Sequence, residues 1–438
     1  STLADVVSAH GFDSVEARTY YASNVYTFGE KSLPLFDLGW VEQYIGSVGT
    51  YTTHLGRHFY RKVPRVSGKY NASYAVHPLP HAPNASAKVR IAVLADWPTG
   101  APGAMRVLEE VAKQKPDVLI HLGDTYYSGT YAEQRDFLHD PVRAHLGEAV
   151  PVYLVPGNHD YYAKGGEGFY QIVDEFGAQE ASYFTLRGAS WQIIAIDTGL
   201  LNNQQLSSTM LPFLPDDQQA WAVAQLEEGR RLGLKTIFMS HHQWFSRTES
   251  LGKANDRLGE ALTEADRLTG VYSTNEFKIN SSELPGGLAN DQPPVANTRL
   301  LKQIPPPLRE YVSAFYWGHE HSTAIFDRYV NISRGRLIGN GAIANPIDYD
   351  QYELNPSTVY SPWARPPPLL DAAAGRCTRE GCRIGQGNVF WNLGFVTLDL
   401  DGSTAVARHW ELQANSTLDA EDPLSSWSDA AVYFEETF

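Results

Sequence analysis

Five short runs of Asp, Asn and His are spread over more than half of the chain. They are Asp96-Trp97-Pro98, Gly123-Asp124-Thr125-Tyr126-Tyr127, Gly157-Asn158-His159-Asp160, Ser240-His241-His242 and Gly318-His319-Glu320-His321. Each follows an apolar stretch with the character of a buried strand: IAVLA, VLIHL, VYLVP, TIFM and SAFYW. Five such runs in register mean that one sheet edge gathers oxygen and nitrogen ligands, which is how a two-metal hydrolase is built.

Two metal ions about 3.5–4 Å apart need roughly three or four protein ligands each and one shared bridge. Asp124 follows a glycine at a strand end, and its two oxygens can bridge. Asp96 ends the first strand, Asn158 offers a neutral carbonyl oxygen, and His241, His319 and His321 offer imidazoles. His319 and His321 stand two apart, so in extended backbone they point the same way and can serve neighbouring metals. Carboxylate and imidazole donors suit iron, zinc and manganese.

The elements that must hold these runs alternate. VRIAVLAD leads into a helix, GAMRVLEEVAKQK; DVLIHLGD is followed by a helical stretch over 132–146; PVYLVPGNHD precedes a short helix near 169–176. This alternation predicts an α/β fold with strand ends on one face. SYFTLRGASWQIIAIDT reads as a hairpin, PDDQQAWAVAQLEEGRRLG as a helix with acidic start and basic end, and KTIFMS as the strand delivering His241. The segment NLGFVTLDLDGSTAVARHWEL is a hairpin turning at Asp401-Gly402. Residues 1–85 read as an N-terminal extension packing on the core, and residues 86–438 as one domain with insertions at about 245–310 and 345–388. The first insertion follows the His pair and is a candidate cap over the site.

Composition narrows the function. The chain has 438 residues and a net charge of −15, with a pI near 5.4. A broad basic footprint for nucleic acid is absent. No apolar run reaches the roughly 18 residues needed to span a membrane. Asn-X-Ser/Thr sequons at Asn71, Asn84, Asn280, Asn331 and Asn415 predict N-glycans and a secreted protein, or one from another oxidising compartment (extracellular, periplasmic or vacuolar). Cys377 and Cys382 fit a loop-closing disulfide there, two free thiols being the alternative.

The runs together resemble the calcineurin-like metallophosphoesterase superfamily, whose pattern is D-x-H, G-D-x-x, G-N-H-D/E, x-H and G-H-x-H. The match covers about residues 90–345 in the right order. One position departs: the His expected two residues after Asp96 is Pro98. The second run reads G-D-T-Y-Y, which is similar to the purple acid phosphatase branch, where G-D-x-x-Y supplies a tyrosinate in place of that His. The resemblance implies a four-layer α/β/β/α sandwich with a binuclear site at the strand C-terminal ends. It places Fe(III) on Asp96, Asp124, Tyr127 and His321, and Fe, Zn or Mn on Asp124, Asn158, His241 and His319. A phenolate is a hard anionic ligand that favours Fe(III).

The implied activity is hydrolysis of a small phosphomonoester, by in-line attack of hydroxide generated at the metals. His159 is placed to protonate the leaving group, and Asp160 to orient its imidazole. Alternation turns His242 away from His241, as a supporting or surface group; Glu320 likewise faces away, and His121 packs. A phosphodiesterase acting on nucleotides or phospholipid head groups uses the same metal core. A reading of another class is a metal-binding glycoprotein without catalysis.

Overall fold

The computed structural model describes residues 61–80, 88–126, 129–163, 165–200, 212–246, 295–326, 328–342, 364–365, 392–412 and 427–438. Tyr127, Cys377, Cys382, Asn84, Asn280 and Asn415 lie outside them. In chain order the strands are β1 (Arg65–Val66), β2 (Lys69–Tyr70), β3 (Val76–Pro78), β4 (Val89–Leu94), β5 (Val118–His121), β6 (Val152–Leu154), β7 (Phe184–Arg187), β8 (Trp191–Ile196) and β9 (Lys235–Ser240). Then follow β10 (Phe245–Ser246), β11 (Val295–Ala296), β12 (Ala314–Trp317), β13 (Thr323–Phe326), β14 (Gly335–Ile338), β15 (Ala364–Arg365), β16 (Leu393–Asp401), β17 (Thr404–Leu412) and β18 (Ala431–Thr437). The helices are α1 (Pro102–Lys113), α2 (Tyr131–Glu133), α3 (Asp140–Leu146), α4 (Glu167–Phe176), α5 (Asp216–Leu232), α6 (Thr298–Gln303) and α7 (Pro306–Tyr311).

Two sheets carry the core: one of eight strands in the order β15-β13-β14-β12-β9-β8-β7-β3, one of six in the order β18-β17-β16-β4-β5-β6. β4, β5 and β6 run parallel, as do β8, β9, β12 and β14. Alternation along each strand divides the buried residues among three interlayer cores. On β4, Ile91 and Val93 face the other sheet, where they meet Ile237, Met239 and Tyr316. Ala92 and Leu94 face α1, α3 and α4 through Val107, Val142 and Ile172. On β9, Phe238 turns outward to Trp221 of α5 and Leu300 of α6. The architecture is therefore α/β/β/α. Strand segments buried on both faces must be apolar throughout, which is why Ile91–Leu94 of β4, Val118–Ile120 of β5 and all of β12 read as continuous hydrophobic runs.

Three local features differ from the sequence expectation. The 132–146 stretch is not one helix: a π-helical turn, Gln134–His139, separates α2 from α3. β3 adds an edge strand beside β7 from within the first 85 residues, and β18 adds one beside β17. Neither shows a strong period, because edge strands bury little. The 245–310 insertion begins and ends at one place, since β10 pairs antiparallel with β11. Residues 247–294 lie outside the described residues.

β16 is fastened to its neighbours by charge. Asp399, 1% exposed, takes Nε and Nη2 of Arg90 at 2.6 and 3.0 Å, Nη1 of Arg408 at 2.7 Å and Nζ of Lys88 at 3.2 Å. Burial pushes the carboxyl up, but the bonds and charges of Arg90 and Lys88 outweigh it and hold it at about 2. An unfolded aspartate titrates near 3.9, so this stabilisation is present above about pH 4 and is lost as pH falls through 2. It amounts to about 2 kcal/mol. Asp399→Asn should lower the urea midpoint at pH 7, and the gap to wild type should close between pH 4 and 2. A gap that does not change with pH would show that the charge contributes nothing.

Candidate metal centre

The five runs leave the C-terminal ends of β4, β5, β6, β9 and β12 and converge where the two sheets face each other. Asp96, Asp124 and His319 adopt left-handed backbone, with φ of 53°, 68° and 72°. That region is uncommon for residues other than glycine. The strain is offset by contacts within the site: His319 N donates to Asp96 Oδ2 at 2.9 Å, and Gly318 N to His241 O at 2.9 Å. Two glycines permit the approach. A Cβ at Gly157 would collide with Asp124 Oδ1, and one at Gly318 with Asp96 Oδ2.

The expected donors meet. His241 Nε2 lies 3.4 Å from Asp124 Oδ2 and 3.2 Å from His319 Nδ1. His321 Nε2 lies 3.6 Å from Asp96 Oδ1. Asp96, Asp124 and His241 offer donor atoms within 4.8 Å of one another. Asn158 turns its Nδ2 to Tyr162 Oη at 2.6 Å, and its buried Oδ1 has no hydrogen-bond partner. His159 packs between Tyr126 and Tyr162, at ring separations of 4.7 and 4.5 Å. Its Nε2 lies 3.9 Å from Asp124 Oδ2, and its side chain is 13% exposed where Asp124's is 1%.

A pair of metal ions fits this donor set. Asp96 and Asp124 are buried carboxylates side by side, and such charges require a cation. Burial and the neighbouring Asp124 charge push the Asp96 carboxyl well up. Burial pulls the His241 imidazole down, but Asp124 and Asp96 outweigh it and raise it to about 9. A positive charge is thus favoured between the carboxylates. Burial lowers His321 to about 3, leaving a neutral imidazole suited to coordination. The orphaned Asn158 oxygen is a donor of the type a metal takes.

Three residues have contacts that the sequence did not foretell. Tyr126 N donates to Pro98 O at 2.9 Å. Its hydroxyl lies 2.6 Å from His321 Nε2, 3.1 Å from Asp96 Oδ1 and 3.3 Å from Asp124 Oδ2. The tyrosine expected beside these ligands, three residues after Asp124, is Tyr127, which lies outside the described residues. His242, expected as a supporting or surface group, is fully buried. Asp160, expected to orient His159, has another task. Its Oδ2 takes Asp124 N and Gly157 N at 2.8 and 2.7 Å, and its Oδ1 takes Thr125 N and Gln134 Nε2 at 3.2 and 2.6 Å. The short turn after Asn158 folds the carboxylate back among these donors, so it clamps the Asp124 loop to the Asn158 loop. The π turn brings in Gln134, a common use of that element. His121 packs against Trp97 as expected.

A family model, the calcineurin-like phosphoesterase, matches residues 89–273. The chain carries a calcineurin-like phosphoesterase domain. The match includes Asp96, Asp124, Asn158, His159 and His241, while His319 and His321 lie beyond it. The phosphoesterase chemistry is thus hydrolysis of a phosphoric ester at a metal centre. No curated protein matches the chain. Among solved structures it is similar to GAP50, the anchor in the inner membrane complex of Plasmodium, at 10% identity over 80% of this chain and 88% of that one, TM-score 0.42. It is similar to PhoD at 10% identity over 80% and 69%, TM-score 0.44. A dimetal phosphatase from Danio rerio shows 13% identity over 73% and 95%, TM-score 0.36.

The Asp160 clamp makes a prediction. Asp160→Asn sets an NH2 against two N–H donors and should destabilise the domain by about 1–3 kcal/mol. It should also reduce the metal retained after dialysis, by elemental analysis. Unchanged stability and metal content would exclude the clamp.

Proposed function

We propose that the phosphoesterase domain hydrolyses small phosphomonoesters at a binuclear centre of purple acid phosphatase type, in a secreted protein or one from another oxidising compartment. The observation that carries this reading is the Tyr126 hydroxyl, set among Asp96, Asp124 and His321 and tied by its backbone to Pro98, which replaces the expected imidazole. Asp96, Asp124, Tyr126 and His321 would hold Fe(III). Asp124, Asn158, His241 and His319 would hold Fe, Zn or Mn. The sequons and the cysteine pair support the compartment; Asn71 and Asn331 are half-buried at the surface.

Bound ions supply polarisation of the phosphoryl oxygens and lower the pKa of water. The residues supply the rest. Burial and the charges of Asp96 and Asp124 push the Tyr126 phenol well above its usual range; it would hold the cation as a phenolate. His159 lies beside Asp124 and is more exposed than it. Its imidazole can donate a proton to the departing alkoxide. Asn158 contributes an uncharged oxygen, so the site keeps a positive balance for an anionic substrate.

The primary test compares an aryl phosphate monoester with the matching diester on metal-loaded protein from pH 4 to 9. A monoester preference peaking in acid is expected; a diester preference near neutral pH would move the assignment to a phosphodiesterase. Iron-loaded, oxidised protein should be violet, and Tyr126→Phe should bleach it. Colour lost in Tyr127→Phe and kept in Tyr126→Phe would return the ligand role to Tyr127. His159→Ala should reduce turnover by about 10²–10⁴-fold with metal content intact. Full turnover in that variant would remove His159 from proton transfer.

A further inference from the structure

His242 stands outside both donor sets. Strand alternation would turn it from His241, but β9 ends at Ser240, and beyond it the two rings lie together. Their centroids are 4.7 Å apart with an interplanar angle of 86°. The His242 ring lies 4.4 Å from that of His319. One donor nitrogen from each of His241, His242 and His319 falls within 4.8 Å of the others.

The state of the two His242 nitrogens is informative. Nδ1 is hydrogen-bonded to Thr198 Oγ1 at 2.9 Å, and the same oxygen accepts the His242 backbone N–H at 3.0 Å. Thr198 follows the end of β8 and so fixes the ring's orientation from a neighbouring strand. Nε2 is buried and has no hydrogen-bond partner. A buried polar atom left in that state is costly. Anchoring of one imidazole nitrogen while the other is left bare is the usual arrangement around a metal-bound histidine.

We propose that His242 Nε2 is a further ligand of the second metal ion, which is then held by the imidazoles of His241, His242 and His319 together with Asp124 and Asn158. The proposal rests on the reading of this cluster as a metal centre. Three imidazoles shift the site from the oxygen-rich chemistry of magnesium or manganese towards zinc or ferrous iron. Thr198 is the positioning residue that presents the ring.

Full-length protein carrying isotope-labelled histidine, loaded with NMR-active cadmium alone, gives a direct count of the nitrogens coupled to metal. Coupling from His241, His242, His319 and His321 is expected. His242→Asn should remove one coupling and leave the other three, and the wild-type count stands without it if that variant does not fold. Coupling from the other three histidines with none from His242 overturns the proposal and leaves the metal centre intact. No coupling from any of them overturns the metal centre, and the proposal with it. In competition with a chelator, Thr198→Val should weaken one of two bound zinc ions by about tenfold and spare the other. Unchanged affinity for both ions would count against the anchored ligand.

Discussion

Two carboxylates, Asp96 and Asp124, are buried side by side where no water can solvate them. This juxtaposition governs the rest of the site. Like charges in such a place are tolerated only with cations or protons between them. The surrounding groups are arranged accordingly: the raised His241 imidazole, the Tyr126 hydroxyl donating into the pair and the orphaned Asn158 oxygen. A pair of metal ions satisfies all of them together.

The four-layer architecture makes this burial possible. Parallel strands in each sheet end at the same edge, so residues far apart in sequence arrive together. The ladder continues past the strand ends: Leu122 N donates to Leu94 O, and Asp96 N to Gly123 O. These bonds set the heights of Asp96 and Asp124 relative to each other. Left-handed backbone at Asp96, Asp124 and His319 then redirects the side chains inward. Such strain persists only where the surrounding contacts over-determine it, and the Asp160 clamp and the His319–Asp96 bond supply those contacts.

The loops therefore behave as one unit. Asp160 ties the Asn158 loop to the Asp124 loop, and the π turn adds Gln134 to the same carboxylate. Gly318 N ties the His319 loop to His241.

The sequence by itself determined the α/β class and singled out Asp96, Asp124, Asn158, His241, His319 and His321 at the ends of its strands. Apolar runs buried on both faces are unmistakable in composition, and a polar residue at such a strand's end has only one place to go. The hairpins β7–β8 and β16–β17 were legible for a related reason, since their turns and alternation are local. Only the tertiary structure showed that the Tyr126 hydroxyl reaches Asp96, Asp124 and His321, that Asp160 accepts from backbone N–H groups, and that His242 is buried. Each of these residues lies beyond the end of its strand. Strand alternation no longer fixes side-chain direction there, and hydrogen bonds from other strands decide it instead.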